Sequence, residues 1–123
     1  MKSNLGKAYA DGELIVKQGD SGDCMYVIQE GSVEVFVNRD GHEIPLAVRK
    51  AGDFFGEMAI FEREARSASV RAVGSARILS VDKRQLVSRI QEDPSLAYRV
   101  IQSMSKRIRD LSEEVAQLKS ERA

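Results

Sequence analysis

The sequence predicts a mainly β fold, a small antiparallel roll, barrel or sandwich, followed by helices at its C-terminal side. Two observations carry this expectation. Glycines and aspartates recur between short apolar runs, at Gly12, Gly19-Asp20, Gly22-Asp23, Gly31, Asp40-Gly41, Gly52-Asp53 and Gly74. This is the punctuation of a chain that turns back on itself every few residues. In the last third the apolar period lengthens to steps of three and four, which is helix spacing.

The runs themselves have strand chemistry. ELIVK (13–17), MYVIQE (25–30), SVEVFV (32–37), EIPLAV (43–48), SVRAV (69–73) and RILSV (77–81) are short and rich in β-branched residues. SVEVFV alternates and sets Val33, Val35 and Val37 on one face. Asp40-Gly41 suits a tight hairpin, because both residues tolerate positive φ. Pro45 cannot donate to a ladder, so EIPLAV is expected at a sheet edge or a bulge. Strands this short, at this turn spacing, fit a small antiparallel roll, barrel or sandwich.

Asp82 opens the helical part as a cap, with Gln85 three residues on in capping-box position. The first helix is expected to end near Asp93-Pro94, where Asp93 caps a second helix and Pro94 suits its first turn. The expected division is 1–93 for the roll with its short helix and 94–123 for the long helix. Along that helix Ile101, Met104, Ile108, Leu111, Val115 and Leu118 alternate steps of three and four. Branched residues fall at heptad a and Met or Leu at d, the pattern of a parallel two-stranded coiled coil. Glu114 at g and the following Lys119 at e can pair across such a seam. A helix lying on its own β domain is the alternative, but its apolar stripe would be broader than this one. The expected partner is therefore a second copy of the chain.

Composition excludes several classes of function. A length of 123 residues fits one domain with a real core. The formal net charge of 0 argues against nucleic acid or an anionic membrane as the main partner. Cys24 is the only cysteine, so no internal disulfide is available, and the residue is read as packed or tolerated rather than redox-active. His42, the only histidine, stands in the turn-like NRDGHE. Without a second histidine or a cysteine pair, the usual metal-ligand sets cannot be assembled, and no metal is expected. The N-terminus has no signal-type apolar core and no run reaches membrane-spanning length, so a cytoplasmic location is expected.

The segment FGEMAIFEREARSASV (55–70) places one carboxylate and one guanidinium among small and apolar neighbours. Gly56 lets backbone approach a partner closely. Residues 57–61 suffice for one helical turn, whose first amides are donors for an anion. Arg66 adds a planar fork matched to two oxygens of a phosphate, and Ser67 adds a hydroxyl. Ionised, Glu57 only accepts hydrogen bonds, as from a sugar hydroxyl. These groups suit a ligand with an anionic end beside a hydroxyl, such as a nucleotide. On chemistry alone a Glu57–Arg66 ion pair, or two solvated charges, remains open.

The segment resembles the phosphate-binding cassette of cyclic nucleotide-binding domains. Phe55-Gly56-Glu57, Met58-Ala59-Ile60 and Arg66-Ser67-Ala68-Ser69-Val70 match that family's pattern in order, and Arg66 lies ten positions beyond Gly56. GELIVKQGDSGDCMYVIQEGSVEVF and AGDFFGE resemble the family's strands and glycine turns. The resemblance implies an eight-stranded β-roll with C-terminal helices, the long one serving as lid and dimer seam. It implies that Glu57 accepts from the ribose 2′-hydroxyl, that Gly56 meets the sugar, and that Arg66 pairs with the exocyclic phosphate. It further implies that amides near Ala59 and Ser67 complete the phosphate cradle, with Met58 against ribose or base. Within the family the chain is most similar to the sensor domain of the catabolite activator type. There a Thr-Ser pair on the long helix reads the adenine amino group. Leu111-Ser112 falls at that pair, so Ser112 can reach a base while Leu111 offers only apolar contact.

The expected function is a sensory module that binds cAMP in preference to cGMP and signals through its C-terminal helix, either stand-alone or excised from a larger regulator. A dimerisation scaffold of the same fold with an unused pocket is the alternative. An enzyme is not expected, because the cassette offers no nucleophile–base pair.

Overall fold

The structure is a computed structural model and describes residues 6–122. Six strands and three helices follow in the order β1 (Lys7–Tyr9), β2 (Leu14–Val16), β3 (Cys24–Arg39), β4 (His42–Lys50), β5 (Phe54–Phe55), α1 (Met58–Phe61), β6 (Ser69–Asp82), α2 (Lys83–Glu92) and α3 (Ser95–Arg122). All strand pairs are antiparallel. The path through the sheet runs β1-β6-β3-β4, with β2 also on β6 and β5 also on β3. The chain divides into two compact units, one up to Gln85 and one from Leu86 onward.

Two pairs of expected strands are fused. MYVIQE and SVEVFV are the two arms of β3, and SVRAV and RILSV are the two arms of β6. The β3–β6 register slips between Ile28 and Ser32, at Gly31, which has φ 83°. A Cβ on Gly31 would stand 2.3 Å from the Ser75 carbonyl oxygen. Gly31 thus bends β3 without ending its ladder, and Gly74, at φ 69°, lies in the opposite strand. The sheet therefore has six strands where the resemblance implied eight, because β3 and β6 each continue through their glycines.

Asp40 and Gly41 both adopt positive φ, 55° and 80°, and join Arg39 to His42 as a tight hairpin. β4 ends the sheet path and also slips against β3 between Val35 and Phe36. Pro45 therefore sits at an edge and beside an irregularity, where its missing N–H is tolerated. The slip has a second effect. Val33 is fully buried and Val35 half-buried, but beyond the slip Phe36 turns inward instead of Val37. A one-residue shift moves side chains to the other face, which the clean alternation of SVEVFV did not foretell.

The core gathers Val16, Ile28, Val33, Phe55, Val70, Ala72, Ala76 and Ile78 from β2, β3, β5 and β6. On the surface, Arg71 of β6 pairs with Glu34 at 2.8 Å and Glu43 at 3.0 Å and lies over the Phe36 ring. That cluster ties β6, β3 and β4 together.

The α2 start is the expected capping box. The Gln85 amide donates to Asp82 Oδ1 at 2.8 Å, and the Asp82 amide donates to Gln85 Oε1 at 2.9 Å. Asp93 accepts from the amide and hydroxyl of Ser95 at the start of α3, and these bonds hold its carboxyl below the usual aspartate range. In the second unit, Ile101, Ile108, Leu111, Val115 and Leu118 are all exposed and Met104 is half-buried. None of the described helices is long and apolar enough to cross a membrane.

Candidate functional site

The site is organised around Arg66, a charged side chain only 8% exposed. Its backbone is tied to the turn after β2: the Arg66 amide donates to Asp20 O at 2.8 Å, and its carbonyl accepts from the Gly19 amide at 2.8 Å. Ser69 nearby accepts from the Gln18 amide at 2.9 Å. The Gly19-Asp20 turn therefore fixes where the arginine leaves the backbone.

The guanidinium has its own frame. Nη1 donates to Gly56 O and Nη2 donates to Cys24 O, each at 3.0 Å. Its central carbon lies over the Tyr26 ring, 5.4 Å from the centroid. Tyr26 stacks on Phe55 with centroids 5.1 Å apart and planes 17° apart. A Cβ on Gly22 would stand 2.3 Å from Nη2, and one on Gly56 would stand 2.8 Å from Nη1. Both glycines thus clear space for the guanidinium. Burial and a hydrogen bond with Cys24 push the Tyr26 phenol up to about 12, against the opposing pull of the Arg66 charge. Beside this frame is a cleft of about 310 Å³ whose lining includes Ile15, Lys17, Ser21, Tyr26 and Arg66.

The rest of the segment forms the expected single turn, α1. Glu57 precedes it in helical conformation, with φ −64° and ψ −24°, and its side chain makes no cap hydrogen bond. Its carbonyl accepts from the Ile60 and Phe61 amides, while the Ala59 amide reaches Gly56 O at 3.3 Å. The Ile60 and Phe61 amides are thus used within the turn, while the Ala59 amide makes the longest of these bonds. Ala59 and Ile60 are buried and hold the turn to the roll, while Met58 is exposed. The Ser67 hydroxyl lies 3.7 Å from Met58 Sδ.

Of the residues singled out from sequence, the structure therefore brings Gly56 to Arg66 and Met58 to Ser67. Ala59 and Glu57 belong to the same turn. Ser112 is an exposed residue of α3, in the other compact unit. Sequence reasoning missed Gly22, the Cys24 carbonyl and Tyr26. Gly22-Asp23 was visible as a turn, but its approach to Arg66 is not a local property.

The arrangement is thus a buried arginine fork on an antiparallel roll, with a one-turn helix beside it. The cyclic nucleotide-binding domain profile matches residues 6–93, and the chain belongs to that family. The matched region is the family's non-catalytic regulatory domain. Among curated proteins, the chain is 31% identical over 112 residues to the cAMP-activated global transcriptional regulator CRP of Salmonella typhimurium. That alignment covers 89% of this chain and 53% of the relative. Over 70 residues it is 43% identical to the cAMP-dependent protein kinase type II regulatory subunit of Drosophila melanogaster, covering 57% of this chain and 19% of the relative. The chain thus spans about half or less of the length of these curated relatives. Among solved structures, the Thermus thermophilus Catabolite Activator Protein superposes with a TM-score of 0.81 at 29% identity, covering 95% of this chain and 56% of that one. The EAL enzyme Bd1971 in its cAMP-bound form superposes with a TM-score of 0.65 at 33% identity, covering 89% and 30%.

Proposed function

We propose that this chain senses a cyclic nucleotide, taking cAMP in preference to cGMP, and transmits its presence through α3. The observation that carries the reading is Arg66. An arginine only 8% exposed, its guanidinium framed by two glycines and an aromatic ring, is no ordinary surface charge. Its fork has donors beyond the two engaged with Gly56 and Cys24, and these suit two oxygens of one phosphate.

In this reading Arg66 takes the exocyclic phosphate, with Ser67 and the backbone near Ala59 completing the cradle. Gly56 meets the sugar, Glu57 accepts from the ribose 2′-hydroxyl and Met58 packs on ribose or base. Ser112 contacts the base from α3. Bd1971, at 33% identity, is solved with cAMP and with cGMP, so a domain of this fold admits either base. The preference for cAMP follows from the resemblance to the catabolite activator type. A base contacted from α3 gives one helix position more ligand contacts than another, which is the differential binding that a switch needs. The exposed row of Ile101, Ile108, Leu111, Val115 and Leu118 supports dimerisation through the same helix.

Titration with cAMP and cGMP side by side, read by calorimetry, is the test. Saturable heat with a stronger response to cAMP is expected. No heat from either nucleotide, on protein shown free of carried-over ligand, sinks the reading. The competing reading, a scaffold that leaves its pocket unused, draws on the two carbonyls already bonded to Arg66.

A further inference from the structure

We infer that Tyr26 is a positioning residue for Arg66: its ring is the floor that holds the guanidinium in the orientation an anion must meet. The inference rests on the reading of Arg66 as the anion-binding group, and it places part of the affinity on β3, outside the 55–70 segment.

The geometry closes on the guanidinium from several sides. Gly56 O and Cys24 O fix its two ends at 3.0 Å. Tyr26 lies across one face at 5.4 Å. The backbone at Gly22 and Gly56 lies so near its terminal nitrogens that a Cβ at either position would collide with them. Tyr26 is itself immobilised. It is paired through the ladder with Phe55 of β5 and Ser80 of β6, and its ring stacks on Phe55, a core residue 4% exposed. Phe55 is also the neighbour of Gly56, whose carbonyl holds Nη1. One aromatic stack therefore sets both the floor under the fork and the backbone that grips its end.

Arginine has a long, rotatable stem, and ordering it at the moment of binding weakens affinity. A cation held over an aromatic face is ordered beforehand. Tyr26 thus acts through Arg66 by preorganisation and need not touch the nucleotide. The face of the ring is what matters, and its hydroxyl, engaged with Cys24, is not required for this role.

The test uses the whole chain and compares Tyr26→Phe with Tyr26→Leu. Calorimetric titration with cAMP is expected to give near wild-type affinity for Tyr26→Phe and about a ten-fold loss for Tyr26→Leu, the scale of one cation–π contact. In an Arg66→Ala background, Tyr26→Leu is expected to cause no further loss. An equal loss in both backgrounds would show a role independent of Arg66 and overturn the proposal. So would unchanged affinity in Tyr26→Leu. Tyr26→Met replaces Tyr26→Leu if circular dichroism shows that the latter does not fold.

A second arm needs no ligand. The Arg66 Nε–H resonance, assigned by its disappearance in Arg66→Lys, is expected upfield from the ring current of Tyr26. It should stay upfield in Tyr26→Phe and return to the ordinary arginine position in Tyr26→Leu. A resonance that does not move overturns the proposal. If wild-type protein takes up neither nucleotide, the sensor reading fails, and this resonance still decides whether Tyr26 holds the arginine.

Discussion

Arg66 shows how a charge can be buried among backbone acceptors and an aromatic face. Its neighbours are carbonyl oxygens, an aromatic face and two glycines, so hydrogen bonds and the ring quadrupole offset part of the desolvation. Arg66→Ala is expected to reduce cAMP affinity by tens-fold or more, since each charge-assisted hydrogen bond contributes about 1.5–3 kcal/mol. The same variant should keep the circular dichroism of the wild type but unfold at lower urea, because two carbonyls lose a donor. Tyr26 carries a pH signature. Burial pushes its phenol up to about 12 in the fold, from an ordinary value of 10.0. Between those values the unfolded chain has lost the proton and the native chain retains it, so stability falls as pH rises. Urea midpoints from pH 9 to 12 are expected to decline more steeply in wild type than in Tyr26→Phe. Parallel declines would contradict the assignment. Tyr9 is shifted in the same direction by burial and by Glu13, so both proteins retain some slope. At this scale the sequence showed which charges stand among small and apolar neighbours, and left open whether they were solvated, paired or turned to a ligand. It did not show that Cys24 would offer its carbonyl or that Tyr26 would lie under the guanidinium, because those contacts join positions about 40 apart in sequence.

Among the elements, the long bent strands organise the rest. β3 reaches β4, β5 and β6, and β6 reaches β1 and β2 as well. Gly31 is the point at which β3 turns without losing its partner. Gly31→Ala places a methyl group against the Ser75 carbonyl in a left-handed backbone conformation. The conformation alone costs about 1–2 kcal/mol for an L-residue, and the clash adds to it. A thermal melt is expected to show a drop of several degrees or a loss of cooperativity, whereas Gly41→Ala, with open space around it, should cost less. Equal effects at the two sites would argue against a packed bend. Local chemistry predicted the hairpin at Asp40-Gly41, the Asp82–Gln85 box and the Asp93 cap, each decided within a few residues. The fusion of strands escaped it, since a glycine reads as a break whether or not the ladder continues through it.

For the molecule as a whole, α3 matters because none of its described residues is buried and a row of its apolar side chains is exposed. A row of branched and leucine side chains left in solvent invites a partner, and its heptad spacing matches a second copy. Ile108→Lys sets a charge in the middle of that row. Sedimentation is expected to show a dimer for wild type and a monomer for Ile108→Lys, with the β signal in circular dichroism unchanged. A wild-type monomer at micromolar concentration, with or without cAMP, would remove the dimer from the proposed mechanism.

The sequence by itself determined the class of fold, the turns and caps, the heptad row and the two charges, Glu57 and Arg66, on which the proposed ligand contacts rest. All of these depend on residue type at short range, where the chain's own connectivity fixes the geometry. Only the tertiary structure decided how β3 and β6 run through their glycines, which face Phe36 takes, and what holds Arg66. Those outcomes depend on distant strands meeting in one register. A spacing of residues cannot report that, because it arises from packing the whole roll at once.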